Sequence, residues 1–319
     1  MKFLYVAIAF LFIQCWPADA ANQNCMNDYY RAKLPVCLDS ILSQFREAPR
    51  PKSDPPTMIG FLGQLFRTSS DEKQRVLRAE SSEYLRGLYL VALYRAGLFD
   101  DAENFARRYS ILPGLRNLEI MRPTPLAEVR PSSAPADNDL LIGAYMASGD
   151  TVFIERILEN FSNAADSMAS DGLRMGFLQS KFGPTLAPKE RQSVTVGAAC
   201  AKYQCKTDPA PLYRLLTLSS AFWALQSLGK TDEGIRKTSA GFFERNKRLK
   251  NLLAEEQAAS GNYMTALVAL GTLKSDHSSP DADPAFMAMS KAASAYENLA
   301  SARDAFAPFQ ELVKSKQPK

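Results

Sequence analysis

The chain has 319 residues, of which 46% are hydrophobic and 23% are charged, and its formal net charge is +4 at pH 7. A chain of this length can bury roughly 75% of the surface that its unfolded form exposes, so it needs no disulfide merely to fold. Its basic and acidic residues are mixed along the sequence, which argues against a nucleic-acid-binding protein, because such proteins gather basic residues into a patch. We therefore expect no nucleic-acid partner.

Residues 1–20 have the pattern of a secretory signal peptide. Lys2 precedes the apolar run Phe3–Ile13, and the segment closes on the small residues Ala18 and Ala20 around Asp19. A positive residue, a short apolar core and an A-x-A exit are typical of a cleaved leader. The run is shorter than the roughly 20 apolar residues that a membrane anchor needs. We therefore predict a secreted protein, periplasmic or extracellular, with no stable membrane insertion after cleavage.

The cysteines of the mature chain are even in number. Cleavage removes Cys15 from the five cysteines of the chain. An even number in an oxidising compartment predicts disulfides. The remaining cysteines are Cys25, Cys37, Cys200 and Cys205. Of the three connectivities that four cysteines allow, local pairing of Cys25 with Cys37 and of Cys200 with Cys205 is the simplest.

The spacing of Cys200 and Cys205 argues against a metal or redox site. Structural zinc needs four ligands at short spacing, and the single histidine, His277, lies far along the chain. Redox sites usually use C-x-x-C beside a βαβ unit, whereas four residues separate these cysteines. We therefore assign all four remaining cysteines a structural role, and we predict no metal and no cofactor.

The sequence predicts an all-α fold. Strand-like alternation is almost absent, and apolar residues recur at spacings of three and four, for example in residues 35–47 and 83–94. Proline-rich stretches separate the helical blocks, and the longest of them spans residues 122–137. We predict that this stretch links an N-terminal helical lobe, residues 21–121, to a C-terminal helical lobe, residues 138–319.

One pattern recurs along the chain: an apolar helical stretch, a glycine, a short polar turn and another helical stretch. A glycine at the end of a helix supplies the positive φ that stops the helix tightly. The pattern therefore predicts an array of antiparallel helical hairpins, in the manner of an irregular α-solenoid. The four glycines are Gly97, Gly149, Gly229 and Gly261.

Two of these turns resemble the central turn of the tetratricopeptide repeat, which reads G-x-aromatic-x-x-A. The matching residues are Gly97, Phe99 and Ala102 in GLFDDA, and Gly261, Tyr263 and Ala266 in GNYMTA, with Leu253 and Ala254 before the second glycine. Only the last two glycines of the series are separated by close to the family's period of about 34 residues. The resemblance implies a helical scaffold with a groove for a peptide or a protein partner.

Three candidate catalytic patterns lack the accompanying residues that their chemistry needs. SLGKT at residues 227–231 lacks the first glycine of a phosphate-binding loop and follows a helical run rather than a strand. The S-x-x-K pairs Ser70–Lys73 and Ser227–Lys230 could activate a serine, but the S-D-N and K-T-G partners are missing. Ser70 is better explained as the N-cap of a helix. His277 lies in a polar segment that contains prolines, and such a segment predicts a histidine on the surface rather than in a catalytic site.

A fourth pattern, Glu80-Ser81, resembles the Glu-Ser dipeptide of lytic transglycosylases, which use one glutamate with a raised pKa. The glycine-rich segment that should follow is missing. We therefore assign no catalytic, cofactor-binding or metal-binding residue. The favoured function is a non-catalytic scaffold that binds a protein or peptide, and the alternative is a cell-envelope hydrolase or lytic transglycosylase-like enzyme.

These functions differ in the sites that they require. An enzyme should bring a carboxylate or a serine–lysine pair into a cleft with perturbed protonation. A scaffold should expose aromatic and arginine side chains to its partner. A small-molecule carrier, the third hypothesis, would need an enclosed apolar pocket of several hundred cubic ångströms.

Overall fold

The computed structural model describes residues 25–47, 56–78, 80, 82–130, 134–182, 203–205 and 207–275, with side chains as far as residue 261. Within these ranges the secondary structure is helical and no strand occurs, which confirms the predicted all-α class. None of the helices found there is long and apolar enough to cross a bilayer.

The helices of the first half of the chain are α1 (Tyr29–Ala32), α2 (Pro35–Glu47), α3 (Pro56–Thr68), α4 (Ser70–Arg78), α5 (Glu83–Arg95), α6 (Phe99–Arg108), α7 (Leu112–Met121) and the 3-10 helix η1 (Leu126–Glu128). They are followed by α8 (Pro135–Ser148), α9 (Val152–Ser162), α10 (Asp166–Phe182), α11 (Ala210–Leu228), α12 (Glu233–Arg245) and α13 (Lys247–Ser275).

The chain forms two compact units. Among the described residues, the first unit contains the chain up to residue 130 together with residues 136–159 and 232–239. Of the same described residues, the second unit contains 134–135, 160–182, 203–205, 207–231 and 240–275. The predicted division into lobes around residues 122–137 stays a prediction.

Helix α3 lies at the centre of the first unit. Every residue from Met58 to Phe66 is buried, and a helix that is buried on all sides belongs to the interior of a core. Two glycines let neighbouring helices approach its backbone. A Cβ on Gly60 would overlap the carbonyl oxygen of Leu140 in α8, and a Cβ on Gly63 would lie 3.2 Å from the carbonyl oxygen of Ala92 in α5.

The second unit is organised around α10, which contacts both α11 and α13. Gly172 and Gly176 lie one turn apart on the face of α10 that meets α11. A Cβ on Gly172 would lie 2.5 Å from the Cβ of Leu218, and one on Gly176 would lie 2.7 Å from a ring carbon of Phe222. The missing side chains therefore allow this close helix packing.

Two of the four predicted glycine turns have the expected backbone. Gly97 has φ +74° and Gly149 has φ +71°, which is the left-handed conformation that glycine adopts without strain. At the first turn the N–H of Leu98 donates to the carbonyl oxygen of Leu93 at 3.0 Å, as in a Schellman motif. Helices α5 and α6 contact each other beyond this turn.

At Gly229 the predicted helix end and turn are confirmed but the positive φ is not, and the turn predicted at Gly261 is wrong. Gly229 ends α11 with a helical φ of −62°, so no left-handed residue is used there. Gly261 lies inside α13, which is continuous from Lys247 to Ser275. An exposed glycine in a helix costs about 1 kcal/mol relative to alanine, and the proline-free, Ala- and Leu-rich sequence around it outweighs that cost. The hairpin array and the tetratricopeptide resemblance stay predictions.

Candidate functional site

The candidate site is the segment 122–130, which connects α7 to α8 and contains η1. Leu126 is 0% exposed and Val129 is 3% exposed, so both side chains anchor the segment in the core. Leu126 lies beside Gly63 of α3, since a Cβ on that glycine would be 3.8 Å from a Leu126 methyl. The carbonyl oxygen of Pro125 accepts the N–H of Glu128 at 2.8 Å. This proline-rich stretch is therefore packed in place.

Two arginines hold the backbone of segment 122–130. Nη1 of Arg95, in the last turn of α5, donates to the carbonyl oxygen of Thr124 at 2.5 Å. Nη1 of Arg156, on α9, donates to the carbonyl oxygen of Leu126 at 3.1 Å. Burial lowers the pKa of both guanidinium groups. These contacts satisfy carbonyl groups that no helix or strand partner would satisfy.

Arg67 and Arg130 each lie near enough to Arg156 for their charges to act on it, and the three residues are here called the arginine cluster. The pKa of Arg156 is lowered by burial and then by the positive charge of Arg130, with a smaller contribution from Arg67. Glu159 and Asp150 partly offset this repulsion. Arg67 and Arg130 are exposed, and neither makes an ion pair or hydrogen bond with any part of the chain that the structure describes.

The end of α7, immediately before this segment, exposes two large apolar side chains. Ile120 is 80% exposed and Met121 is 67% exposed. The opposite face of the same helix is anchored by the buried residues Leu115 and Leu118. Arg122 then ends the helix in the left-handed conformation. Methionine, arginine and large apolar residues side by side are typical of protein interfaces.

Glu80 is placed as a structural residue. It is 3% exposed, and its carboxylate accepts Nη2 of Arg46 at 2.8 Å, the N–H of Ser82 at 2.9 Å and the hydroxyl of Tyr89 at 3.3 Å. Burial alone would raise the pKa of Glu80, but the hydrogen bonds from Arg46 and Ser82 outweigh burial, and the pKa is lowered. A transglycosylase-like general acid needs the opposite shift.

Lys73 is paired with an acid rather than with the serine of its S-x-x-K pattern. Its ammonium lies 2.6 Å from Oδ2 of Asp101, so it is held in an ion pair with that carboxylate. The predicted helix after Ser70 is confirmed, but its cap is Ser69, whose hydroxyl accepts the N–H of Glu72 at 3.3 Å. The cap prediction was wrong by one residue.

The other predicted candidates are placed as follows. Ser227 is half-buried near the end of α11, and Lys230 is exposed beyond it. His277 lies outside the described residues. Among those residues, no group of three or more His, Cys, Asp and Glu side chains could hold a metal ion.

The structure joins Cys25 to Cys37 in a disulfide with a Cα–Cα distance of 5.6 Å, as the local pairing predicts. Cys37 is buried, so the bond ties the residues before α1 to the inner side of α2. Cys205 is also disulfide-bonded. Its predicted partner, Cys200, lies outside the described part of the chain, so this second pairing stays a prediction.

A cluster of polar side chains around the carboxylate of Asp232, in the first unit, was not predicted from sequence. Oδ1 of Asp232 accepts the hydroxyl of Tyr145 at 2.8 Å and caps α12 by accepting the N–H of Ile235 at 3.0 Å. Oδ2 lies 3.2 Å from both the hydroxyl of Tyr30 and Nη2 of Arg31. Burial and these contacts raise the pKa of Tyr145. All the groups are used in holding α1, α8 and α12 together.

The second unit contains its own buried polar cluster. Nε of Arg174, on α10, donates to Oε2 of Glu256 at 2.6 Å, and the hydroxyl of Ser170 donates to the other oxygen of the same carboxylate. On the same helix, Asp171 accepts the hydroxyl of Tyr203 at 2.6 Å. Burial and then this hydrogen bond raise the pKa of Tyr203. The cluster joins α10 to α13 and to the residues beside Cys205.

The arginine cluster also escaped the sequence analysis, because its members are distant in the chain and belong to three different elements. Comparison with protein-family models finds no match, and comparisons with curated proteins and with solved structures find none either.

Proposed function

We propose that this protein is an exported, non-catalytic helical scaffold that binds a protein or peptide partner. The observation that supports this most directly is the exposed apolar end of α7, where Ile120 and Met121 stand beside an arginine-flanked segment. Burying two such side chains in a partner would contribute roughly 1.5–3 kcal/mol for each. We therefore assign the partner-binding surface to the end of α7 and segment 122–130.

The rigidity of segment 122–130 favours binding. Leu126 and Val129 fix it from the core side, and Arg95 and Arg156 hold its carbonyl groups. A surface that is already ordered avoids the entropy loss that a flexible loop suffers when a partner binds. The geometry therefore suits a preformed docking surface.

The candidate catalytic groups favour binding over catalysis. Glu80 has a lowered pKa, and its carboxylate accepts hydrogen bonds from Arg46, Ser82 and Tyr89. Lys73 is engaged by Asp101. Groups that are engaged in this way hold helices of the chain together, and a catalytic group must be within reach of a substrate.

The proposed export to the periplasm or the extracellular medium is supported by the disulfide between Cys25 and Cys37, since disulfides persist in oxidising compartments. Mass spectrometry of the natively isolated protein tests it. We expect a mature chain that begins after Ala20 and a covalently linked pair of peptides containing the two cysteines. An intact leader, or free thiols at Cys25 and Cys37, would contradict the proposal.

The binding surface is tested by affinity capture from the extracytoplasmic fraction with the wild-type protein and the variant Ile120→Asp/Met121→Asp. We expect recovery of the partner to fall by about ten-fold or more, since a buried hot-spot residue is worth about 2 kcal/mol. Val36→Asp is the matched control, because Val36 is 71% exposed on α2. Equal recovery with all three proteins, or no specific partner with the wild type, would refute the proposal.

A further inference from the structure

The arginine cluster carries positive charge that Glu159 and Asp150 offset only in part. Arg46 and Arg174 each bind a carboxylate, and Arg95 binds a carbonyl group. Arg67 and Arg130 differ because they are exposed and have no such partner in that part of the chain. Guanidinium groups pair readily with carboxylates and phosphates, so these two arginines, each near Arg156, form a candidate anion site.

The backbone brings the three arginines to one place. Arg67 lies one turn after Gly63 on the same face of α3, and the side chain of Leu126 packs beside Gly63. Arg156 donates to the carbonyl oxygen of Leu126. Arg130 directly follows the buried Val129, so its backbone is fixed as well.

Arg156 is the most firmly positioned of the three. Its guanidinium lies 5.7 Å from the ring centroid of Phe153, a buried residue on the same helix. With Nη1 engaged by Leu126, the guanidinium has further N–H groups that can donate. It is therefore a fixed positive charge beside the two exposed arginines.

We propose that the arginine cluster binds carboxylates of an acidic segment in the protein or peptide partner. This inference rests on the scaffold function proposed above and names the chemistry of the partner. The partner would place apolar side chains on Ile120 and Met121 and acidic side chains on Arg67 and Arg130. Complementary charge sets the register and speeds association more than it adds to affinity.

The position of the cluster favours separate carboxylates over one compact phosphate. Phosphate sites commonly use backbone N–H groups at a helix N-terminus. Arg67 lies instead in the last turn of α3, and the neighbouring Arg95 lies in the last turn of α5. The carbonyl ends of both helices are partly negative and would repel a concentrated double charge. Carboxylates spread along a peptide can each pair with a separate guanidinium.

Fluorescence anisotropy with a labelled peptide of alternating Glu and Leu residues tests the proposal. We expect the wild-type protein to bind it, and Arg67→Gln/Arg130→Gln to weaken binding by about five-fold, the effect of losing two exposed ion pairs. Arg108→Gln, which removes an exposed arginine from the last turn of α6, should leave the affinity unchanged. Raising the salt concentration should reduce the difference between wild type and double variant.

Three results would overturn the proposal. The first is a peptide affinity that the double variant leaves unchanged. The second is binding of inorganic phosphate, but not of the peptide, that depends on Arg67 and Arg130. The third is arginine-dependent binding to vesicles of phosphatidylglycerol and phosphatidylcholine without peptide binding. Circular dichroism of each variant establishes that a loss of binding does not come from unfolding.

The outcomes separate this inference from the scaffold function. If Ile120→Asp/Met121→Asp abolishes partner capture while Arg67→Gln/Arg130→Gln changes neither capture nor peptide affinity, the scaffold function stands and the inference is wrong. If the double arginine variant loses peptide affinity but the wild type captures no partner, the anion site stands and the scaffold function is wrong.

Discussion

The crossing of α3 and α8 depends on two glycines and allows a sharp prediction. A Cβ on Gly60 would overlap the carbonyl oxygen of Leu140, and a Cβ on Gly143 would overlap the carbonyl oxygen of Thr57. Both obstacles are backbone atoms, which cannot rotate away as a side chain can. In Gly60→Ala or Gly143→Ala the two helices must therefore move apart.

Two opposing contributions determine how much each substitution changes the free energy of unfolding. Alanine stabilises a helix by about 1 kcal/mol relative to glycine, whereas forcing extra volume into a packed core costs about 1–3 kcal/mol. Because the overlap is with backbone and lies in the core around Phe61, we expect the upper part of that range. Each variant should lower the free energy of unfolding by about 2 kcal/mol. The double variant should cost less than the sum of the single changes, because one displacement relieves both overlaps.

Urea denaturation followed by circular dichroism measures these values. Gly87→Ala is the matched control, since Gly87 lies inside α5 and no atom lies within 4 Å of its Cβ position. The control should gain about 0.5–1 kcal/mol. A Gly60→Ala protein as stable as the wild type, or a control destabilised to the same extent, would refute the backbone-contact reasoning.

Two further predictions concern the carboxylates of Glu80, which is buried, and Asp139, which is half-buried. Glu80→Gln should lower the free energy of unfolding by about 1–2 kcal/mol at pH 7, because the partly exposed Arg46 loses its ion pair. The pKa of Glu80 is lowered by folding, so its contribution is present above its unfolded pKa of about 4.3, and the difference from wild type should shrink as the pH falls below this value. Asp139→Asn should do the reverse: burial raises the pKa of Asp139 to about 7, so ionisation destabilises the wild type increasingly from about pH 4 to pH 7. The free energies of unfolding from urea titrations should agree near pH 4, and at pH 8 that of the variant should be higher by about 1–3 kcal/mol. A difference independent of pH would contradict this assignment.

The helical class could be predicted because its signal is local. Apolar spacing along α2 and α5 gives each helix its buried face whatever it packs against. The same holds at Gly97 and Gly149, where the backbone needs a positive φ. Gly261 shows the limit of this reasoning. The glycine of a predicted turn and the glycine of a long continuous helix look alike in sequence, and the surrounding helix propensity decides between them.

The candidate site could not be predicted, because it depends on long-range packing. Residues 122–137 look like a linker, since prolines interrupt both helix and strand. The burial of Leu126 and Val129 and the arginines that bind the carbonyl groups become visible only when α3, α5 and α9 are in place. Nothing in the sequence distinguishes Arg67 or Arg156. Only the structure shows that Arg156 binds the carbonyl oxygen of Leu126 and that Leu126 packs beside Gly63, one turn before Arg67.

The contacts of each arginine indicate whether it supports the fold or is available to bind a partner. Arg248 illustrates the first role, since its guanidinium contacts Asp166 and the carbonyl oxygens of Phe161 and Ala164, near the end of α9. Such a side chain has already lost its rotamer freedom and its hydration to contacts within the chain. Arg67 keeps its rotamer freedom and its hydration, so its guanidinium is still available to pair with a partner. This difference in available interactions, rather than total charge, is why we propose the surface beside segment 122–130 as the binding surface.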